Sequence, residues 1–371
     1  MKRLLLAVLI FFITISLARA DKIEVKTIDG VQVVFNPKKP APPRGALTKL
    51  TLKEEFSLGE GKKEEEIFSE ISSFTVDDEG NIYLLDRKEN KILVFDKKGK
   101  YLRSFGKKGQ GPGEISGPVG IRLTPAMELL VEDSLNQRFT FFSLDGEFMR
   151  SISTGKFFGL VGAVEFDSQG NMIAQHLVFA NNRINREIKK FDKELNPLFT
   201  IATYDYTNIM AGKINPFSVL TIYRVGRDDT ILISNLDQYE IKVLNSEGKV
   251  IKRILKEWEP IKISDEYKKE RLAQLPPETA MFKDRIEVPK VFPPYENFFL
   301  DEQRRIFVKT YETGKMKEEH LFDIFDAAGN YIAKIALKGN DHFIKGGKLY
   351  SVEETEDGFQ VLKCYSLRWE K

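Results

Sequence analysis

Short apolar runs that end in polar turns recur along most of this chain. The clearest copy lies between Phe74 and Glu114, where the runs FTV, IYLLD, ILVF and YLRSF are each followed by a turn rich in Asp, Asn, Lys or Gly. Short runs of β-forming residues with such turns between them are typical of antiparallel strands. The stretch therefore predicts a four-stranded antiparallel meander.

One such sheet cannot bury both of its faces, so we expect copies of it to stack against one another. The third strand of each copy ends in an aromatic or aliphatic residue plus a polar one. These landmarks are Phe95-Asp96, Phe142-Ser143, Phe191-Asp192, Leu244-Asn245 and Phe325-Asp326, at intervals of 47, 49, 53 and 81 residues. The first three intervals correspond to one blade each, and the long one contains an insertion.

A sixth copy near the C-terminus has only three recognisable strands. A lone strand at Leu50 to Leu58 precedes the first copy and can supply the missing fourth strand, which would remove the open edge of a ring. The prediction is an all-β fold, a six-bladed β-propeller of four-stranded antiparallel blades, closed by an N-terminal strand and carrying a short helical insertion. A β-sandwich has no reason to repeat a whole four-strand unit with its turns in register.

The first twenty residues have the pattern of an export signal. Lys2 and Arg3 precede an apolar run from Leu4 to Leu17, and Ala18-Arg19-Ala20 offers the small residues of a cleavage site before Asp21. The alternative is an uncleaved N-terminal anchor. We therefore expect an exported protein, periplasmic or extracellular, with no stable membrane span after cleavage.

The rest of the chain divides into three parts. Residues 21–49 contain a predicted hairpin around Asp29-Gly30 and a Pro-rich link, and residues 50–371 form the predicted propeller. The insertion spans about 256–294, where Ser264-Asp265 can cap a helix that Pro276 and Pro277 stop. This helix is either a solvated element packed on the ring, or a lid or partner surface.

Charge and cysteine content narrow the function classes. The chain has 57 basic and 55 acidic residues, and loss of Lys2, Arg3 and Arg19 with the signal leaves 54 and 55. Such a balance does not favour a nucleic acid or an anionic membrane as partner. Cys364 is the single cysteine, so no internal disulfide is possible. We expect a monomer.

The segment GNIYLLDRKENKILVFDKKGKYLRSFG resembles an NHL repeat, with its DxxGNIYVxD core and following IxVFDxxG strand. The phrase FGKKGQGPGEI and the Asn36-Pro37 link resemble bacterial secreted six-bladed propellers of the NHL or TolB-like kind. The resemblance implies the fold but little about activity, because this fold serves binding proteins and enzymes alike. Some six-bladed relatives are lyases with a channel zinc or lactonases with a channel calcium.

In a propeller, the second strand of each blade ends at the rim where the innermost strand begins, which is the mouth of the central channel. Aligning the repeats places a polar residue from every blade at this rim, together with residues that begin innermost strands. The predicted ligand-binding residues are Asp86, Asp133, His176, Asn235, Tyr295, Glu296, His342 and Glu353, with Thr310 at the position of blade five.

Two function hypotheses follow. The first is an exported binding module or scaffold that recognises a protein, peptide or saccharide at the channel mouth. The second is a metal-dependent lyase or hydrolase with zinc or calcium in the channel. Zinc would be held by His176, His342 and a carboxylate such as Glu353 or Glu296. Calcium would be held by Asp86, Asp133 and Glu353. His320 is expected outside the channel.

Overall fold

The computed structural model describes residues 22–60, 68–157, 162–207, 215, 217, 221–234, 236–273, 285–316 and 318–371. Within these residues the chain forms strands β1 to β26 and one helix, α1. The predicted signal peptide, residues 1–20, lies outside the described residues.

Six antiparallel sheets form the blades. Five of them are built on four consecutive strands, and the sixth has three consecutive strands that an N-terminal strand completes. Blade one consists of β4 (Ile71–Val76), β5 (Ile82–Asp86), β6 (Lys91–Phe95) and β7 (Tyr101–Phe105). Blade two consists of β8 (Pro118–Leu123), β9 (Leu129–Asp133), β10 (Arg138–Phe142) and β11 (Phe148–Ser153). Blade three consists of β12 (Gly162–Phe166), β13 (Met172–Ala180), β14 (Arg183–Phe191) and β15 (Pro197–Asp205).

Blades four to six follow the same order. Blade four consists of β16 (Ile222–Val225), β17 (Ile231–Ser234), β18 (Glu240–Leu244) and β19 (Val250–Lys256). Blade five consists of β20 (Asn297–Leu300), β21 (Ile306–Thr313), β22 (Glu319–Phe325) and β23 (Tyr331–Lys338). Blade six contains β24 (His342–Lys345), β25 (Lys348–Glu354) and β26 (Gln360–Glu370). The predicted fold class, an all-β six-bladed propeller, is confirmed.

The fourth strand of blade six comes from the other end of the chain. β3 (Lys49–Leu58) pairs antiparallel with β26, from Leu58 opposite Leu362 to Lys49 opposite Glu370. Blade six therefore holds both ends of the ring, and the predicted closure by an N-terminal strand is confirmed.

The N-terminal hairpin has a place that the sequence did not indicate. β1 (Glu24–Ile28) and β2 (Val31–Asn36) pair around Asp29 and Gly30, which both have positive φ, as a two-residue hairpin turn requires. β2 then pairs parallel with β19, so that blade four has six strands in the order β1-β2-β19-β18-β17-β16.

The second and third strands of blades one and two, β5, β6, β9 and β10, are buried on both faces, because each blade lies between two others. In β5, Leu84 packs in the apolar cluster shared by blades six and one, whereas its neighbour Leu85 packs in the cluster shared by blades one and two. Four further clusters join the remaining pairs of blades in the same way. This explains why the runs read as continuously apolar instead of alternating.

The insertion packs on the ring through a small aromatic cluster. Ser264 caps helix α1 (Asp265–Ala273), since its Oγ accepts the N–H of Tyr267 at 3.1 Å. Tyr267 meets the ring of Phe292 edge-on, and Phe292 stacks on Tyr311 of β21 with centroids 4.3 Å apart. The predicted helix is thus present and attached to blade five; its expected end near Leu275 lies outside the described residues.

Candidate functional site

The innermost strands of all six blades surround a central cavity of about 700 Å³. Its lining alternates charged, amide and aromatic side chains, contributed by β8, β16, β20 and β24 and by the second strands behind them. The charged residues of the lining are Arg122, Glu132, Glu165, Arg186, Arg224, Lys309 and Asp341. A cavity of this size with a few convergent polar groups is typical of a binding site for a small ligand or a segment of a larger one.

Besides Arg186 of blade three, which lies over the Tyr206 ring, three cations reach the cavity from blades two, four and five. Arg122 Nη1 donates to Ser73 Oγ at 3.2 Å and to the Ile121 carbonyl at 2.9 Å. Arg224 donates to Asn297 Oδ1 at 3.2 Å, and burial lowers its pKa. Lys309 is held between Glu296 Oε1 and Asn340 Oδ1, both at 3.2 Å.

The carboxylates Glu132 and Asp341 of the cavity wall differ in role, and that of Glu132 is partly structural. Glu132 lies beside Gly120, and its two oxygens accept the backbone N–H groups of Ala163 and Val164 at 3.1 Å each. Ala163 has a positive φ within the bulge of β12, so Glu132 fixes an irregular part of the next blade. Burial raises the pKa of Glu132 above its ordinary value. Asp341 is exposed to the cavity and interacts electrostatically with the three cations.

Three buried polar atoms of blade three make no hydrogen bond within the described part of the chain. They are Gln175 Oε1 and His176 Nε2, whose residues line the central cavity, and Glu187 Oε2, which forms an ion pair with Lys189. His176 is only 6% exposed and packs between the rings of Phe157 and Phe191. Its Nε2 lies 4.0 Å from Glu187 Oε2, too far for a direct hydrogen bond. Burial, with the nearby Lys189, lowers the pKa of His176.

Of the residues that the sequence predicts for the channel mouth, His176 and His342 line the cavity. His342 stacks on Phe299 with centroids 5.7 Å apart, and its Nε2 donates to the Lys338 carbonyl at 2.8 Å. Burial lowers its pKa to about 4, so the ring is neutral at pH 7. The two histidines belong to blades three and six, which face each other across the ring.

Asp86 and Asp133 do not line the cavity. Both carboxylates are fully buried at the ends of second strands and accept hydrogen bonds from the adjacent turns, which fixes the links between blades. The donors are the N–H groups of Ser69, Lys88 and Glu89 for Asp86, and Ser116 N–H, Asn136 Nδ2 and Arg138 Nε for Asp133.

The remaining predicted residues take separate positions. Tyr295 is fully buried in the core between blades four and five. Its hydroxyl donates to the Glu240 carbonyl and accepts from the Ser234 hydroxyl. Glu353 accepts the hydroxyl of Tyr365 at 2.6 Å. Glu296 lies beside the cavity as the partner of Lys309. Thr310 donates to the Leu321 carbonyl at 2.8 Å, and Asn235 lies outside the described residues.

The structure does not bring the predicted metal ligands together. Among the described residues, no three His, Cys, Asp or Glu side chains are grouped as metal ligands. His176 and His342 lie on opposite blades, and Glu353, Asp86 and Asp133 are each engaged in contacts of their own. His320 does not line the cavity. It interacts with Asn340, which does line it.

The sequence reasoning missed the charged residues of the channel wall. Arg122 and Arg224 each interrupt an apolar run, in VGIRL and IYRV, and Glu132 directly follows one, in LLVED. A charged side chain inside or at the end of an apolar run is costly to bury in the core, so it indicates a position that faces the axis of the ring. The sequence therefore carries a signal for the channel wall besides the polar residues at the strand ends.

A second cavity of about 390 Å³ lies between blades four and five, beside the Pro-rich link and the insertion. At its base, the buried Asp323 accepts hydrogen bonds from Tyr239 and Tyr331 and lies 3.3 Å from Lys256 Nζ. The lysine is positioned over both tyrosine rings, and its burial lowers its pKa. The polar atoms of Asp323, Tyr239, Tyr331 and Lys256 at the base of this cavity are paired. We therefore assign this group of residues a structural role, which is to join blades four and five.

Comparison with solved structures agrees with the fold. A Bacteroides fragilis protein considered to be exported matches 91% of this chain and 100% of its own length, with a TM-score of 0.58 and 11% identity. A Bacteroides vulgatus member of the DUF4221 family matches 87% of this chain and 100% of its own length, with a TM-score of 0.54 and 15% identity. These likenesses concern the fold alone.

An enzyme also matches, at a lower level. The virginiamycin B lyase of Staphylococcus aureus has a TM-score of 0.46 and 9% identity over 86% of this chain and 99% of its own. This likeness carries no argument about activity. No curated protein matches the chain. None of the helices in the described residues has the length and apolar character needed to cross a membrane.

The sequence itself matches one family. The DUF5128 family, described as a six-bladed β-propeller, matches residues 62–257, which is more than half of the chain. The match begins just before blade one and ends after β19, and so includes four of the six blades. The chain is therefore a member of the DUF5128 family of six-bladed β-propellers.

Proposed function

We propose that this protein is a binding module whose central channel takes up a ligand, namely a saccharide, a peptide or part of a protein. The observation that carries the proposal is the channel wall. Cations, an exposed carboxylate, aromatic rings and two polar atoms that have no hydrogen bond among the described residues line one cavity of about 700 Å³. Such a combination suits non-covalent recognition, because it offers several kinds of contact to one ligand.

The alternative is a metal-dependent lyase or hydrolase, and no contact among the described residues favours it. We further infer that the protein acts after export, in the periplasm or outside the cell, as a monomer. The pattern of residues 1–20 and the likeness to a protein considered to be exported support the first inference. The relation to NHL or TolB-like propellers rests on the blade-one motif and is proposed on that ground.

A channel-blocking variant tests the proposal. Val119 lines the cavity on β8 and has no side-chain polar atom, so Val119→Trp fills space without removing a hydrogen bond. Binding to panels of immobilised peptides and oligosaccharides should be lost in this variant and kept in Leu198→Trp, since Leu198 is exposed on β15. Equal melting temperatures would establish that both variants are folded.

The fate of the ligand distinguishes a binder from an enzyme. A ligand recovered intact after prolonged incubation, with and without added zinc or calcium, is the expected result. Binding that is insensitive to Val119→Trp would contradict the channel site. Metal-dependent cleavage of the ligand would establish the lyase or hydrolase alternative in its place.

A further inference from the structure

Two guanidinium groups in the channel are weakly compensated. Arg122 makes no ion pair within the described residues. It donates hydrogen bonds to the neutral Ser73 hydroxyl and Ile121 carbonyl, and the carboxylates of Glu132 and Asp341 act on it only from farther away. Arg224 pairs only loosely with Glu165, at 3.9 Å. The two positive charges also disfavour each other electrostatically. An anion between them would form charge-assisted hydrogen bonds and relieve this repulsion.

Blade three presents a different chemistry to the same cavity. Among the described residues, neither the buried acceptor Gln175 Oε1 nor the buried His176 Nε2 has a hydrogen-bond partner. A buried polar atom that makes no hydrogen bond costs free energy, so its persistence needs an explanation. The Nε2 atom of a neutral imidazole donates or accepts according to its tautomer. A ligand hydroxyl satisfies either tautomer, and it also donates to the Gln175 amide oxygen.

The third component of the wall is aromatic. Phe299 and His342 form a parallel stack, with an interplanar angle of 13°, and both line the cavity, as does Phe343 of β24. Aromatic rings at a cavity surface offer flat apolar faces. The C–H face of a sugar ring is flat and apolar in the same way, whereas its edge carries hydroxyls.

We propose that the channel binds an acidic oligosaccharide, with a uronate carboxylate at Arg122 and Arg224 and sugar hydroxyls at Gln175 and His176. This inference rests on the proposed function and specifies its ligand. The C-terminus of a peptide would satisfy the two arginines, but it has no hydroxyl groups placed for blade three. A neutral sugar would add nothing to the partial compensation that Glu165 and Asp341 give the two cations. An acidic sugar meets both requirements in one compact molecule.

The test uses an array of uronate-containing oligosaccharides, their methyl esters and neutral oligosaccharides, followed by calorimetry of the compounds that bind. The methyl ester is a matched probe, because it removes the charge and keeps the sugar. The uronates should bind, and their esters should bind about tenfold more weakly or worse. Acetylated peptides with a free C-terminal carboxylate form a separate arm.

Two variants locate the ligand. Arg122→Gln should weaken uronate binding about tenfold or more and leave binding of the ester nearly unchanged. Arg183→Gln is the control. Arg183 begins β14 and lies on the exposed surface, so this substitution removes the same charge as Arg122→Gln. His176→Phe keeps an aromatic ring between Phe157 and Phe191 but removes both ring nitrogens, including the one that hydrogen-bonds the Leu177 backbone. It should weaken the binding of the uronates and of their esters alike, because both carry the sugar hydroxyls assigned to Nε2.

The possible outcomes distinguish failure of the acidic-sugar assignment from failure of the proposed channel-binding function. Equal binding of acids and esters, or no effect of Arg122→Gln, would overturn the assignment of the carboxylate. Binding of the peptides but of no oligosaccharide would overturn the saccharide class and leave the channel-binding function intact. If Val119→Trp weakened the binding of none of the oligosaccharides or peptides, the proposed function would fail as well. Unchanged binding of the uronates by His176→Phe would overturn the placement of the sugar hydroxyls at His176.

Discussion

At the scale of single residues, aspartates in the turns explain why the repeat is visible in the sequence. Asp167 Oδ1 accepts the N–H groups of Gln169 and Asn171, and its Oδ2 accepts the Asn171 side chain at 2.8 Å. The same arrangement recurs at Asp77, Asp192 and Asp326. Each carboxylate replaces a missing backbone partner in a tight turn, so the D-x-x-x-N spacing is a local requirement that a sequence can reveal.

Asp167 should also make the fold sensitive to acid. Burial raises its pKa, but hydrogen bonds from Asn171 and Lys190 outweigh that effect, and the pKa lies below its ordinary value of 3.8. A carboxyl with a lowered pKa in the folded state contributes stability above its unfolded pKa, and this contribution is lost as the pH falls through the folded pKa.

We therefore expect Asp167→Asn to lower the free energy of unfolding by about 1–3 kcal/mol at pH 7, and by less at pH 3. Urea unfolding at the two pH values measures the difference. Asp357→Asn, at an exposed turn position of blade six, is the control and should change the stability little at either pH. An equal loss at pH 7 and pH 3 would contradict the role assigned to the Asp167 charge.

The channel residues show what the sequence could not reveal at this scale. Strand ends can be aligned between repeats, and His176 and His342 emerged from that alignment. Asp86 and Asp133 occupy the same aligned positions, but their carboxylates fold back onto the turns beside them. Whether a rim residue turns toward the axis or toward its own turn depends on neighbouring N–H groups, which the repeat pattern does not specify.

At the scale of elements, the strand pattern predicted nearly every strand of the ring and the closure by β3. The place of β1 and β2 was not predicted, because an antiparallel hairpin is satisfied locally and carries no sign of its outer partner. Asn36 shows how the structure fixes it: its Nδ2 donates to the Leu255 and Gly329 carbonyls, and its Oδ1 accepts the Tyr331 N–H. One side chain thus joins the hairpin to blades four and five.

The contribution of β3 can be separated from that of the hairpin by two truncations. A chain that begins at residue 45 lacks β1 and β2 but keeps β3, whereas one that begins at residue 59 lacks all three. The second chain should be less stable than the first by more than about 3 kcal/mol, because Leu58 and its neighbours leave the apolar cluster with blade one. Denaturant unfolding of both chains measures the difference, and equal stabilities would contradict closure through β3.

At the scale of the whole molecule, the ring converts six similar sheets into one structure. Every blade shares an apolar cluster with each of its two neighbours, including blades six and one, where the chain ends meet. Repetition of the strand pattern is enough to predict this arrangement. The ligand is not predictable in the same way, because the channel wall combines single residues from different blades whose spacing along the sequence is irregular.

A closed ring of this kind should unfold in one transition. Trp258 contacts the cluster between blades four and five, and Trp369 the cluster between blades five and six, so Trp258→Phe and Trp369→Phe each leave one reporter in a different part of the ring. The fluorescence midpoints of the two variants in denaturant should coincide. Adding Leu362→Ala, which opens a cavity between blades six and one, should shift both midpoints equally and cost about 2–5 kcal/mol. Leu198→Ala on the exposed surface should shift neither. If Leu362→Ala moved only the Trp369 transition, the blades would be unfolding independently and β3 would not close a cooperative ring.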